Sequence, residues 1–149
     1  MTIAAILKHK GHAVVTIEPT ATVPEVAARL SEHRIGAVLV MDRAEQLLGI
    51  VSERDIVRSL ATNGPRTLEM TAGQLMTRAV HLAHPEMTVG EAMRKMTIGR
   101  IRHLPVMHEN MVVTLITGGK IACIRPECHI TPIGADRGAV AVAVSLRSI

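Results

Sequence analysis

Apolar and polar positions run along the chain with a period that changes, and each change marks an element. Thr2 to Lys10 reads as a short amphipathic helix, capped by Thr2 and ended by Gly11. Ala13 to Ile17 is a β-type run that Pro19 stops. Thr22 opens a helix with the capping box Thr22-x-x-Glu25, and Pro24 stands in its first turn, where a missing N–H costs nothing. Val23, Val26, Ala27 and Leu30 form its apolar stripe. Gly36 to Met41 is a continuous apolar strand, Asp42 to Glu45 a polar turn, and Gln46 to Val51 the returning strand of a hairpin. Ser52 caps the next helix, with Asp55 three positions on, and Ile56, Val57 and Leu60 are expected on its buried side. Asn63-Gly64-Pro65 begins a linker, and Thr71 to Met76 is a short helical turn.

The order then repeats. A strand is expected near Val80 to Ala83, a capped helix from Thr88 to Met96, a strand near His103 to Met107, a turn at His108-Glu109-Asn110 and a strand from Met111 to Ile116. The residues repeat as well. Pro19-Thr20-Ala21-Thr22-Val23-Pro24-Glu25 returns 66 positions on as Pro85-Glu86-Met87-Thr88-Val89-Gly90-Glu91. Arg34-Ile35 returns as Arg100-Ile101, and Val40-Met41 as Val106-Met107. Leu48-Gly49-Ile50-Val51-Ser52 returns, 65 positions on, as Val113-Thr114-Leu115-Ile116-Thr117. Each copy is a β-α-β-β-α unit of about 60 residues, an α/β (α+β) arrangement in which helices cover small mixed sheets that pack face to back.

The second copy lacks its last helix. Gly118-Gly119 and Pro126 are poor helix material, and the text to Ile149 matches nothing upstream, although Ala139 to Val144 alternates like a strand. A coding-frame change after Thr117 would produce such a loss of pattern. The expected organisation is a first repeat with the N-terminal helix over 1–70, a second over 71–120 and a divergent tail over 121–149.

Composition narrows the function. The chain has 149 residues and no Phe, Tyr or Trp, so its core is aliphatic, helped by nine Met that read as core filler. Without aromatic platforms for base stacking, and with a net charge of only +4 spread as single Lys and Arg residues, a nucleic-acid partner is not expected. The basicity instead suits local attraction for phosphates. No apolar run reaches the length of a membrane span, the N-terminus does not read as a signal peptide, and two cysteines make no disulfide framework, so a cytoplasmic protein is expected.

The informative motif is Gly49-Ile50-Val51-Ser52-Glu53-Arg54-Asp55, where a strand ends and a helix starts. Free backbone N–H groups at a helix start attract anions. Ser52 can donate to a phosphate oxygen, Arg54 can serve a phosphate, and an ionised Asp55, acceptor-only, suits the two hydroxyls of a ribose. Ile35-Gly36-Ala37 is small enough to let an adenine edge approach the backbone. The bland reading is a helix cap alone.

This motif, with Arg100-x-Arg102-His103-Leu104-Pro105-Val106 and the Met76-Thr77 pair before the second copy, resembles the CBS-domain pair named after cystathionine β-synthase, in its stand-alone bacterial form. The resemblance covers roughly residues 1 to 117. It implies a pseudo-twofold module with two sites between the repeats, an adenine-nucleotide ligand such as AMP, ATP or NAD(H), a sensing role without catalysis, and a homodimer. Carried over by position, the first site would use Ser52 and Asp55 for phosphate and ribose, with Val15, Thr16, Ile17, Ile35, Gly36 and Ala37 lining the base. The second would use Arg102 and His103 for phosphate, Leu104 and Pro105 beside the base, and Thr117 at the helix start. Lys120 stands where the second site needs its ribose acid, and Thr114 where the strand should carry glycine, so one working site, around Asp55, is expected.

Other chemistry is not expected. Cys123, Cys128 and His129 fit no common four-ligand metal pattern, Ser52 sits in no nucleophile elbow, and no phosphate loop is present. Two functions remain: a non-catalytic adenylate sensor that requires no cofactor, or a structural dimerisation and interaction module whose cleft binds nothing.

Overall fold

The computed structural model describes residues 1–10 and 14–118. Gly11, Ala13, Lys120, the tail over 121–149 with its expected strand, and Cys123, Cys128 and His129 lie outside the described residues. The elements follow the order α1 (Ile3–Lys10), β1 (Thr16–Ile17), α2 (Val23–His33), β2 (Ala37–Met41), β3 (Leu47–Ser52), α3 (Glu53–Asn63), a 3-10 helix (Gly64–Glu69), α4 (Ala72–Leu75), α5 (Val89–Gly99), β4 (His103–His108) and β5 (Met111–Thr117). β1 lies parallel to β2, and β2 antiparallel to β3; β4 and β5 form the second hairpin.

The repeat holds down to local detail. Both hairpins slip register at twin positions, Val40/Met41 and Val106/Met107. Both α2 and α5 end on an arginine in the left-handed region, Arg34 (φ 51°) and Arg100 (φ 50°). Both start on a capping box, in which Glu25 Oε2 accepts from the N and Oγ1 of Thr22, and Glu91 Oε2 from those of Thr88. These bonds favour the ionised carboxylates, first through the backbone N–H and then through the hydroxyl, and lower both pKa values.

Each repeat is closed by the segment that precedes the other. Met1 O accepts from Val89 N at 3.1 Å, as Met70 O accepts from Val23 N at 2.9 Å. Ile3 N donates to Met87 O and Ala4 N to Pro85 O; their counterparts are Ala72 N to Ala21 O and Gly73 N to Pro19 O. Ile3, Ile6 and Leu7 of α1 therefore sit in the second repeat's core with Val89, Met96, Leu104 and Ile116. Ala72 and Met76 sit in the first repeat's core with Val26, Val38, Val40 and Val51. Burying a side chain such as Ile3 contributes about 2 kcal/mol, so α1 is part of the second core.

Two expectations fail. No strand forms over Val80 to Ala83; only Ala83 bridges Val106. In the first repeat Leu39 N donates to Val15 O at 3.3 Å, and Leu39's twin is Pro105, which has no N–H to donate. The second failure concerns α3. Val57 and Leu60 do not line its buried side but are 65% and 42% exposed. Ile56 packs against the first core, and beside it runs a polar seam: Ser59 Oγ lies 3.0 Å from Thr67 Oγ1, and Asn63 Nδ2 donates to Ser59 Oγ at 3.1 Å. Pairing the buried Ser59 and Thr67 hydroxyls fixes the face that α3 turns inward and leaves Val57 and Leu60 outward.

Candidate functional site

The N-terminus of α3 is the organising point. Ser52 is extended (φ −110°, ψ 162°), and its Oγ accepts from Asp55 N at 3.4 Å. Asp55 Oδ2 accepts in turn from Ser52 N and Ser52 Oγ, both at 2.7 Å. The cap is thus real, and it fixes the carboxylate at the helix start. Both bonds fall on one oxygen, and an ionised carboxylate has acceptor capacity beyond them.

A cavity of about 170 Å³ opens over this cap. Ile50, Ser52, Arg54, Asp55 and Arg58 form one wall, together with Glu53. Arg100, Ile101, Arg102 and His103 of the second repeat form the opposite wall. Thr77, Ala79, Val80 and His81 cross between them. The crossing depends on a glycine: Thr77 and Ile50 exchange backbone hydrogen bonds at 2.9 and 3.1 Å, and a Cβ on Gly49 would stand 2.7 Å from Met76 Sδ and 2.8 Å from Thr77 O. His81 lines the cleft as well.

The opposite wall is held as firmly. Ile101 N bonds Met96 O at 2.9 Å and Gly118 N bonds Arg102 O at 3.0 Å, which fixes the chain on both sides of Arg102. Gly36 packs so closely that an added Cβ would lie 3.2 Å from His103 Nε2. Glu53 N donates to Gly36 O at 3.0 Å and ties that contact to α3. Burial holds the His103 imidazole below its ordinary pKa; Arg102 and Arg54 push the same way, and Glu53 and Asp55 oppose them. The balance of these effects favours the neutral imidazole. With four arginines against two carboxylates, the cleft is electropositive.

The expected site residues divide. Ser52, Arg54, Asp55, Arg102 and His103 meet in this one cleft, so Arg102 and His103 face the first-repeat cap. Ile35, Gly36 and Ala37 do not line it; Gly36 touches it only through His103, Ile35 is packed against the first core, and Ala37 is buried. Val15 is packed against the first core, and Leu104 and Pro105 are buried inside β4. Thr117 pairs with His103 across the second hairpin, outside the cavity lining. Thr16 and Ile17 line a different cavity, of about 880 Å³. Its charged lining is Glu18, Glu25, Glu32, Asp42 and Glu45 around Arg29, which repels a phosphate. Missed from the sequence were Arg58, Arg100, Thr77, Ala79, Val80 and His81. Arg58 was readable, because it stands four after Arg54 and hence on the same helix face.

Among the described residues, no cluster of three or more His, Cys, Asp or Glu is placed to hold a metal ion, and no helix is long and apolar enough to cross a membrane.

Comparison with known proteins agrees with the repeat. The CBS domain pattern matches residues 10–62 and 72–118. A CBS-domain containing protein of Agrobacterium tumefaciens superimposes with a TM-score of 0.82 at 34% identity, over 84% of this chain and 99% of that one. A CBS domain pair solved with 5-methylthioadenosine and S-adenosyl-L-methionine gives 0.73 at 27% identity, over 83% and 94%. A CBS domain protein of Pyrobaculum aerophilum complexed with AMP gives 0.72 at 26% identity, over 85% and 93%. The first curated relatives are longer proteins, of which the chain spans 58%, 24% and 62%. The chain belongs to the CBS domain family, as a pair of such domains.

Proposed function

We propose that this CBS-domain pair is a regulatory, non-catalytic module that binds an adenine nucleotide in the cleft between its repeats. One observation carries the reading: Ser52 and Asp55 of the first repeat converge with Arg102 and His103 of the second on a single electropositive cavity. A ligand held there bridges the repeats, so its binding energy is also energy of closure, which is what a sensor requires. Asp55 accepts from the ribose hydroxyls, the α3 N-terminus with Ser52 and Arg54 faces the phosphate, and Arg102 and His103 close on it from the other side. The cavity is smaller than the roughly 300 Å³ at which ligand pockets begin. It takes the sugar–phosphate end, and the base lies at the mouth beside Ala79 and Val80. Relatives solved with AMP and with 5-methylthioadenosine and S-adenosyl-L-methionine support an adenosine ligand. A cytoplasmic setting fits a chain with two cysteines and no disulfide framework.

Thermal unfolding with AMP, ATP, NADH and S-adenosylmethionine at about 1 mM tests this. A ligand at 100 times its dissociation constant adds about 2.7 kcal/mol, which raises Tm by several degrees. The expected result is a rise with at least one ligand that Asp55→Ala removes. A cooperatively melting protein that shifts with none leaves the interaction-module reading. That second reading has its own support in Val57 and Leu60, 65% and 42% exposed three positions apart on α3, and in Leu68, 52% exposed on the 3-10 helix that follows. We propose that a second copy covers this patch. A dimer on sizing that Leu60→Glu turns into monomer is the expected outcome; a monomer at every concentration refutes it.

A further inference from the structure

The arginines outnumber what one phosphate needs. Arg54 and Arg58 stand one turn apart on α3, and Arg100 and Arg102 flank Ile101 on the other wall. Among the described residues none of the four is ion-paired. Their placement works against the fold. Arg54 is the second residue of α3, where the positive end of the helix repels a cation, and like charges four apart on a helix repel each other. Of the two carboxylates in the cleft, Asp55 is engaged by Ser52, and Glu53 is exposed. Arg102 and Arg54 lie with the cap and His103, which accounts for one phosphate. Arg58 and Arg100 remain, one on each wall.

We propose that Arg58 and Arg100 make this cleft selective for a nucleoside polyphosphate, over the monophosphate and over uncharged or cationic adenosine derivatives. The inference rests on the adenine-nucleotide reading of the cleft and specifies it. Each added phosphate brings negative charge to a wall that holds an unpaired guanidinium, the group best shaped for phosphate oxygens. A sulfonium ligand meets the same field with the wrong sign, and a thioether ligand gains nothing from it.

Titration calorimetry of the full chain in EDTA, with ATP, AMP, 5-methylthioadenosine and S-adenosylmethionine as probes, tests the proposal. ATP is expected to bind at least about tenfold more tightly than AMP, the scale of one charge-assisted contact, and S-adenosylmethionine weakest. Arg58→Gln and Arg100→Gln should each shrink the ATP-to-AMP ratio several-fold and leave AMP affinity within about twofold. Both side chains are exposed, so unchanged Tm values serve as the folding control. AMP binding as tightly as ATP, or S-adenosylmethionine binding more tightly, overturns the polyphosphate proposal and leaves the adenosine site standing. A ratio unchanged in both variants overturns the role of Arg58 and Arg100. Failure of every probe to bind removes the underlying reading along with the proposal.

Discussion

The first and second repeats share caps, hairpins, register slips and left-handed helix ends at matching positions, yet the clefts their pseudo-symmetry defines are unequal. On one side, Ser52 and Asp55 face Arg102 and His103. The twins of that second pair are Gly36 and Ala37, which carry no charge, and the twin of Asp55 in the sequence is Lys120. A cleft built from the twins lacks the Arg102–His103 pair on one wall and the Asp55 carboxylate on the other. The lead-in segments differ too. α4 stops after Leu75, and Thr77 leaves it to pair with Ile50 over Gly49, whereas α1 stays helical to Lys10 and Gly49's twin is Thr114. The fold tolerates these exchanges because its symmetry lies in backbone bonds and small apolar residues. The charged lining of the cleft is not repeated in the same way, because Asp55, Arg102 and His103 have Lys120, Gly36 and Ala37 as their twins.

Making the halves alike at the lead-in should produce the largest effect. Gly49→Thr places a Cβ 2.7 Å from Met76 Sδ and should cost about 2–3 kcal/mol, read as a fall in Tm together with loss of nucleotide binding. A Tm within a degree of the parent would show that the Gly49–Thr77 crossing is not tight. Weaker by a step is Asp55→Ala. Removing its cap bonds should cost about 1 kcal/mol of stability, and leaving the ribose hydroxyls unpaired should lower affinity at least tenfold.

Proton linkage at His103 comes next. Burial lowers its pKa in the free protein, so the neutral imidazole's contribution to stability is present above the unfolded value of about 6.5 and is lost as pH falls through the lower folded value. A phosphate beside the ring pushes the pKa back up. Nucleotide affinity should therefore rise as pH falls from 8 towards 6, through the value of the bound state. His103→Gln should remove that part of the slope which the nucleotide's own phosphate does not account for. Equal slopes in parent and variant would take His103 out of the phosphate site.

The smallest effect belongs to the twin capping boxes. Glu25→Gln and Glu91→Gln should lower Tm by similar, small amounts at pH 7, and the difference from the parent should vanish as pH falls below 4.5 through the depressed folded values. Unequal shifts would show that the repeats are less alike than their caps.

The elements of this fold were legible because caps and hairpins are local. Thr22-x-x-Glu25 and Ser52-x-x-Asp55 announce helix starts from four residues each. The rotation of α3 was not legible, because an apolar stripe of Ile56, Val57 and Leu60 competes with a polar seam whose partner, Thr67, lies beyond the helix. The missing strand before Ala83 turned on one absent N–H at Pro105, which matters only once the parallel pairing is known. That Ser52, Asp55, Arg102 and His103 carry polar chemistry beside the helix start and the second hairpin was legible in the sequence. Their sharing of one cleft was not, since it follows from how the two repeats face each other.

The most direct measurement is the stoichiometry of nucleotide binding by calorimetry on the parent, Asp55→Ala and Thr117→Ala. The expected result is one nucleotide per chain, lost in Asp55→Ala and retained in Thr117→Ala. Two nucleotides per chain, or binding that survives Asp55→Ala and disappears in Thr117→Ala, would contradict the assignment of function to the first cleft.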